Sequence, residues 1–509
     1  MSLNLATVLR ESAQTYPGNV ALSVGEMNFT YAQLHGYVQR FAGGLKNLGV
    51  KKGQHVALLL PNVPHFSIAY FGALYTGGAV VPLNVLLTAD EILYHLEDSD
   101  SVAVVVWEGF LTDAHKAFLR SDTCKNLIVA RMDPSDLSAP EGCYNMTALI
   151  GGSEPVTDLP ATSPDDTAVI LYTSGTTGRP KGAELSHFNM FYNAEYATDK
   201  LMPLTSDDVA LATLPLFHSF GQTVIHNGLL RKGGKVVLLP RFDPTSALAL
   251  MQAHKVTLFA GVPTMYFALL NHPEAASFDV SSLTYCASGG AAMPVEVMKA
   301  FDEKYNVNIL EGYGLSETSP VASFNRLDRP KKVGSVGLPI SGVEFRLEDD
   351  DGNVLTELGE RGEICIKGHN VMKGYYKRPE ATAEAIKDGW FHTGDIGIMD
   401  EDGFYSIVDR KKDMIIRGGY NVYPREIEEV LYAHPAVVEA AVIGVPHERH
   451  GEEVRAVLAL KPGSEVKAND IIGYCREHLA AYKYPRIVDF MEALPKGPTG
   501  KILKRELRG

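Results

Sequence analysis

The densest chemistry in the chain lies in one run: Thr173, Ser174, Gly175, Thr176, Thr177, Gly178, Arg179, Pro180, Lys181 and Gly182. Gly175 and Gly178 stand among four hydroxyl residues, so backbone N–H groups and hydroxyls alike can donate to phosphate oxygens. Arg179 and Lys181 add positive charge where a triphosphate needs it. The order is not that of a Walker A loop, because no lysine follows a G-x-x-x-x-G frame. A plain Ser/Gly linker would not call for the apolar run at 168–172 directly before it, nor for the Arg-Pro-Lys ending. Phosphate handling is the favoured chemistry.

Such a loop needs a rigid scaffold, and the first ~400 residues supply the pattern of one. Apolar β-type runs at 55–60, 101–107, 126–130, 167–172, 235–239 and 257–260 alternate with helical patterns at 31–48, 66–76 and 293–305. Several of the runs are short, continuous and bounded by Gly or Pro, as strands buried on both faces should be. From Gly337 the texture changes to Gly-punctuated short strands at 344–347, 362–367 and 403–407, predicting a small antiparallel sheet or barrel. A boundary is expected near Asp409-Arg410-Lys411-Lys412, dividing 1–409 from a compact α+β unit at 410–509. That unit carries a helix pattern at 424–433, with Pro424 where a first helical turn tolerates it, and strand patterns at 437–443 and 453–460. The fold class is α/β: parallel sheets and a small β subdomain in a large N-terminal part, then a small α+β C-terminal part. Neither internal repeats nor low-complexity segments occur.

Residues 172–182 resemble the signature loop of the adenylate-forming (ANL) superfamily, which includes acyl-CoA synthetases, luciferases and nonribosomal peptide synthetase adenylation domains. Further motifs follow in that family's order. Ser288-Gly289-Gly290-Ala291-Ala292 resembles the adenine-contacting loop, and Glu311-Gly312-Tyr313-Gly314-Leu315-Ser316-Glu317-Thr318 the Y-G-x-T-E region, with Ser316 in place of Thr. Thr393-Gly394-Asp395 resembles the ribose motif and Asp409-Arg410 the entry to the hinge. Arg417-Gly418-Gly419-Tyr420 and Pro495-Lys496-Gly497-Pro498-Thr499-Gly500-Lys501 complete the set. The resemblance spans the chain and is nearest to bacterial fatty-acyl-CoA synthetases, with 4-coumarate–CoA ligases nearby.

The resemblance implies roles. Thr173 to Gly178 and Lys181, with Gly289, Gly290, Ala291, Glu311, Gly312, Tyr313, Gly314, Asp395 and Arg410, are the expected ATP/AMP contacts. Glu317, a hard oxygen ligand, and Thr173 would hold Mg²⁺ bridging ATP phosphates, and the Ser316 hydroxyl would donate to the α-phosphate. Asp395 would accept from both ribose hydroxyls, Arg410 would help hold the ribose, and Tyr313 would stack on adenine. Lys501 would bridge carboxylate and α-phosphate, where negative charge concentrates in the transition state. Gly418 and Gly419 would let the pantetheine arm of CoA run close to backbone, although a Gly pair alone is more simply a turn. His218 is expected to border the acyl and thiol pocket rather than act as acid or base. The C-terminal part would rotate between half-reactions about Lys412, presenting Lys501 first and Gly418-Gly419 second.

The reaction implied is joining of a carboxylic acid, medium- or long-chain fatty acid foremost, to CoA through an acyl-adenylate, with ATP consumed and AMP and pyrophosphate released. A 4-coumarate-type or other aryl-CoA ligase, or an adenylation enzyme loading a carrier protein, remains open; the absence of a carrier segment after Lys501 favours free CoA. Net charge of -14 disfavours nucleic acid or an anionic membrane as main partner. That charge is uneven, because residues 410–509 hold 17 basic against 14 acidic side chains. Five cysteines without C-x-x-C spacing argue against disulfides or zinc and fit a reducing cytoplasm. No signal peptide and no transmembrane run is read, and the choice between monomer and homodimer stays open.

Overall fold

The computed structural model describes residues 2–173 and 179–508. Two large sheets form the body of the first ~400 residues. One has nine strands, with Leu258–Gly261, Tyr285–Ser288 and Ile309–Gly314 as consecutive parallel neighbours. The other has eight, in which Thr167–Thr173, Ala79–Pro82, His55–Leu59, Ser101–Trp107 and Asn126–Ala130 run parallel. Strands such as His55–Leu59 and Ala79–Pro82 are buried along their whole length, which is why they read as continuous apolar runs rather than alternating ones. Each sheet also includes antiparallel pairs. One such pair sets Thr167–Thr173 against Lys181–Ser186, so the described residues on either side of residues 174–178 are neighbouring antiparallel strands.

A six-stranded antiparallel sheet follows, including Val343–Glu348, Gly362–Gly368, Trp390–Met399 and Tyr405–Arg410. From Ile415 onwards the chain builds a further sheet and its own apolar core, with Ile415, Val422, Ile427, Leu431, Val442 and Leu458 at its centre. The helix Pro424–Tyr432 covers that sheet; Pro424 opens it, and Ile427 and Leu431, four apart, turn inward together.

The expected strands at 101–107 and 126–130 match in full. Helices at Ala89–Asp98, His187–Tyr196 and Ala468–His478 were not anticipated. Two of them carried a start signal in the residues themselves, since Thr88 and Ser186 close capping boxes with Glu91 and Asn189. The segments Ala197–Leu201 and Gly221–Asn227 are π-helical, a geometry that side-chain periodicity at 3.6 residues does not reveal. Among the described residues no helix is long and apolar enough to cross a membrane.

Candidate active site

In parallel α/β sheets, ligands bind beyond the carboxyl ends of the strands, where the following loops converge. Ser288 and Glu311 are register partners on neighbouring strands, so the loops through Gly289-Gly290-Ala291 and Gly312-Tyr313-Gly314 leave the sheet side by side. Glu311 is buried and accepts from the Met293 amide at 3.0 Å. Its other carboxylate oxygen and the Ser288 hydroxyl are buried without a hydrogen-bond partner. Burial lifts the Glu311 pKa to about 7, with the nearby Arg425 charge opposing. An unpaired buried polar atom costs about 1–3 kcal/mol, which a ligand's polar edge can relieve. At Gly314 a β-carbon would stand 1.8 Å from the Pro320 carbonyl oxygen, so only glycine fits there.

Asp395 rises from the strand Trp390–Met399 opposite Arg410. Its turn is built by local bonds. Thr393 Oγ1 donates to the Ile364 carbonyl at 2.7 Å, the Gly394 amide to Glu363 Oε1 at 2.9 Å, and the Asp395 amide to Thr393 Oγ1 at 3.1 Å. The Asp395 carboxylate is 3% exposed. Tyr313 donates its hydroxyl to Oδ2 at 2.6 Å, and Arg410 Nε pairs with Oδ1 at 3.1 Å. Both oxygens therefore already accept from protein, and ribose hydroxyls would use the remaining lone pairs. The expected adenine stacker, Tyr313, is thus also tied to the expected ribose ligand.

Glu317 lies in the short 3₁₀ turn Ser316–Thr318, is 7% exposed, and accepts from the Tyr375 hydroxyl at 2.9 Å through Oε1. Lys181, the register partner of Thr173, holds its ammonium 5.0 Å from the centre of the same Tyr375 ring. Tyr375 thus links the end of the signature loop to Glu317. Sequence reasoning missed it, because its partner is 58 residues away and a Gly-Tyr-Tyr run carries no chemical signature. A carboxylate and a hydroxyl are oxygen donors of the kind a hard divalent cation takes, so the chemistry of Glu317 and Thr173 fits Mg²⁺. Ser174, Gly175, Thr176, Thr177 and Gly178 lie outside the described residues.

Lys501 reaches this cleft from the C-terminal part. Its residue surface is exposed, yet the protein atoms around its ammonium desolvate it; this, reinforced by Arg410 and opposed by Asp395, lowers its pKa to about 8. His218 faces it: burial, with the Lys501 charge second, brings the imidazole down to about 4. The ring accepts from the Phe220 amide through Nδ1 at 3.4 Å, so it is neutral and fit for lining a pocket rather than moving protons. Phe220 in turn stands against Gly289, where a β-carbon would meet its ring at 3.2 Å.

Gly418 and Gly419 sit elsewhere. They form the turn between the strands Ile415–Arg417 and Tyr420–Val422, with φ of +57° and +85°. Positive φ at both central positions of a two-residue hairpin favours glycine on backbone grounds alone. The hairpin is anchored within the C-terminal part, through the Gly418 amide to the His450 carbonyl at 2.8 Å and Arg417 to Glu453. Lys412 is exposed in the turn Lys411–Asp413 that joins Tyr405–Arg410 to Ile415–Arg417. Glu348, Cys365 and His392 cluster with ligand-type atoms within 4.8 Å of one another. Arg346 pairs with Glu348, and Lys411 lies 3.7 Å from the adjoining Glu363, so the acidic groups here are balanced by protein cations.

The strand-end cleft, the Asp395–Arg410 pair and a lysine supplied by a separate C-terminal lobe define an adenylate-forming ligase of the AMP-forming acid–thiol class. The chain belongs to the AMP-binding enzyme family, whose profile matches residues 9–376, with the AMP-binding enzyme C-terminal domain matching residues 426–501. It is 38% identical to a long-chain-fatty-acid–CoA ligase of Bacillus subtilis (strain 168), over 99% of this chain and 94% of that one. It is 39% identical to a feruloyl-CoA synthase of Amycolatopsis, over 97% and 96%. The crystal structure of an anthranilate CoA ligase in complex with anthranoyl-AMP superposes with a TM-score of 0.93 at 29% identity, covering 100% of this chain and 97% of the other.

Proposed function

We propose that this enzyme activates a medium- or long-chain fatty acid as its acyl-adenylate and transfers the acyl group to CoA. The observation that carries this reading is the meeting of Lys501, Asp395, Arg410 and His218 in one cleft, two lobes contributing to it. In the first half-reaction a carboxylate oxygen attacks the α-phosphorus of ATP; the new P–O bond forms as the bond to pyrophosphate breaks. Lys501 neutralises charge where the two anions meet, and the Asp395–Arg410–Tyr313 group holds the nucleoside. Glu317 and Thr173 would hold Mg²⁺, which when bound offsets phosphate charge. In the second half-reaction the CoA sulfur attacks the acyl carbonyl, the C–S bond forms, and AMP leaves. No protein nucleophile is needed, so catalysis is positioning and electrostatics. The C-terminal lobe would turn about Lys412 to bring the Gly418-Gly419 hairpin to the site.

Fatty substrates are supported by the neutral His218 and the ring of Phe220 at the cleft wall, and by relatives named for long-chain fatty acids. An aryl acid is the second reading, favoured by the feruloyl-CoA synthase and anthranilate ligase likenesses. AMP release with ATP, Mg²⁺ and CoA, measured across octanoate, palmitate, 4-coumarate, ferulate and benzoate, separates them. Turnover confined to the aromatic acids would overturn the fatty assignment.

A further inference from the structure

The hairpin that carries Lys501 is closed by its own backbone. Lys496 bridges Ile502, the Gly497 amide donates to the Lys501 carbonyl at 2.8 Å, and the Leu503 amide donates to the Pro495 carbonyl at 2.8 Å. One backbone group at its tip points outward instead. The Gly500 carbonyl accepts a 3.0 Å hydrogen bond from Thr264 Oγ1, which belongs to the other lobe, 236 residues away.

Thr264 is the second residue of the helix Pro263–Leu270, directly after the strand Leu258–Gly261 in the sheet whose ends form the cleft. The cap of that helix is Val262, so the Thr264 hydroxyl is not spent on the usual side-chain cap. Gly500 has φ of +80°, and a β-carbon there would come within 3.0 Å of both Thr264 Oγ1 and Val262 Cγ2. The two surfaces approach as closely as a glycine allows. The Gly500 carbonyl and the Lys501 nitrogen share one rigid peptide plane, so fixing that oxygen fixes the plane from which the lysine side chain departs.

We propose that Thr264 is a positioning residue for adenylation: its hydroxyl latches the Gly500 peptide and so aims the Lys501 ammonium at the cleft. This rests on the reading of Lys501 as the adenylation lysine. A single neutral hydrogen bond suits the task, because net bonds of this kind contribute little and can be broken in every catalytic cycle when the lobe turns. A permanent ion pair at the same place would oppose that release.

The test compares Thr264→Val, Thr264→Ser, Lys501→Ala and the double variant in two assays, ATP–pyrophosphate exchange and thioester synthesis from supplied acyl-adenylate. Thr264→Val should slow exchange roughly 3- to 10-fold, the range of one such bond, while thioester synthesis from the adenylate is unchanged or faster. Thr264→Ser should restore exchange. The double variant should be no slower in exchange than Lys501→Ala, because Thr264 acts only through that lysine. Hydrogen–deuterium exchange of residues 495–503 in the whole protein should quicken in Thr264→Val and not in Thr264→Ser. Full exchange activity in Thr264→Val beside a crippled Lys501→Ala would overturn the latch alone. Equal loss in both assays, or additive losses in the double variant, would also overturn it. Wild-type exchange in Lys501→Ala would instead bring down the role of the lysine, and the latch with it.

Discussion

At the scale of single residues, the proposed chemistry of the cleft turns on a cation that is held below its ordinary basicity. Lys501 has a pKa of about 8 because of desolvation and its neighbour Arg410, with Asp395 pulling the other way. Its ammonium is charged below that value and neutral above it. kcat/KM for the adenylation half-reaction, which reports the free enzyme, should therefore fall as pH rises past about 8. Lys501→Arg should lose that alkaline limb, since a guanidinium stays charged. Lys501→Ala should lose at least roughly 10²–10³-fold in exchange while still converting supplied acyl-adenylate. A parallel fall in both half-reactions would contradict the division of labour. Glu317 supports a second test. Glu317→Gln keeps the Tyr375 hydrogen bond but offers a neutral oxygen to a hard dication, so the Mg²⁺ dependence of exchange should shift to higher concentration. An unchanged Mg²⁺ titration would remove Glu317 from the metal.

At the scale of elements, the short turn Lys411–Asp413 carries more consequence than its length suggests. It follows the strand that presents Arg410 to Asp395 and precedes the first strand of the C-terminal core. A proline fixes φ near roughly -65° and removes an N–H, so Lys412→Pro should hold the lobe in one arrangement. The arrangement with Lys501 in the cleft is the expected survivor. Pyrophosphate exchange should persist while overall thioester synthesis drops by an order of magnitude or more, with circular dichroism confirming the fold. Wild-type acyl-CoA formation by a folded variant would place the pivot elsewhere. The Asp395 turn makes the opposite point. Thr393 bonds to Ile364 and Gly394 to Glu363 on the neighbouring strand, so this part of the site is held by a rigid sheet element.

At the scale of the molecule, two cores meet across a thin connection. The residues from Ile415 on pack among themselves, and the cores are joined by the exposed Lys411 and Lys412 and by a few contacts such as Thr264 to Gly500. Exposed basic residues in such a link are natural tryptic sites. Limited trypsin treatment should nick first at 411–412, releasing a small C-terminal fragment. ATP with a fatty acid, supplied without CoA, should slow the cut by favouring the docked lobe, since ligands that bind one state shift the population toward it. A cleavage rate indifferent to these substrates would mean that nucleotide and lobe are not coupled.

Sequence alone determined the class of chemistry and most of the scaffold. Fully buried strands advertise themselves as apolar runs, and motifs are legible where a backbone turn favours particular residue types, as the two positive φ angles at Gly418 and Gly419 show. It also marked Glu317, Asp395, Arg410 and Lys501 as candidates. Tertiary structure alone decided which of them meet. Tyr375 beside Glu317, Glu363 under the Asp395 turn, the unpaired oxygen of Glu311, and Thr264 against Gly500 all join segments far apart in the chain. The lowered basicity of Lys501 and His218 likewise comes from burial and facing charge, which exist only once two lobes close on one cleft. Periodicity and motif spacing record what a residue needs from its near neighbours along the chain; they carry no record of what the fold will bring across to it.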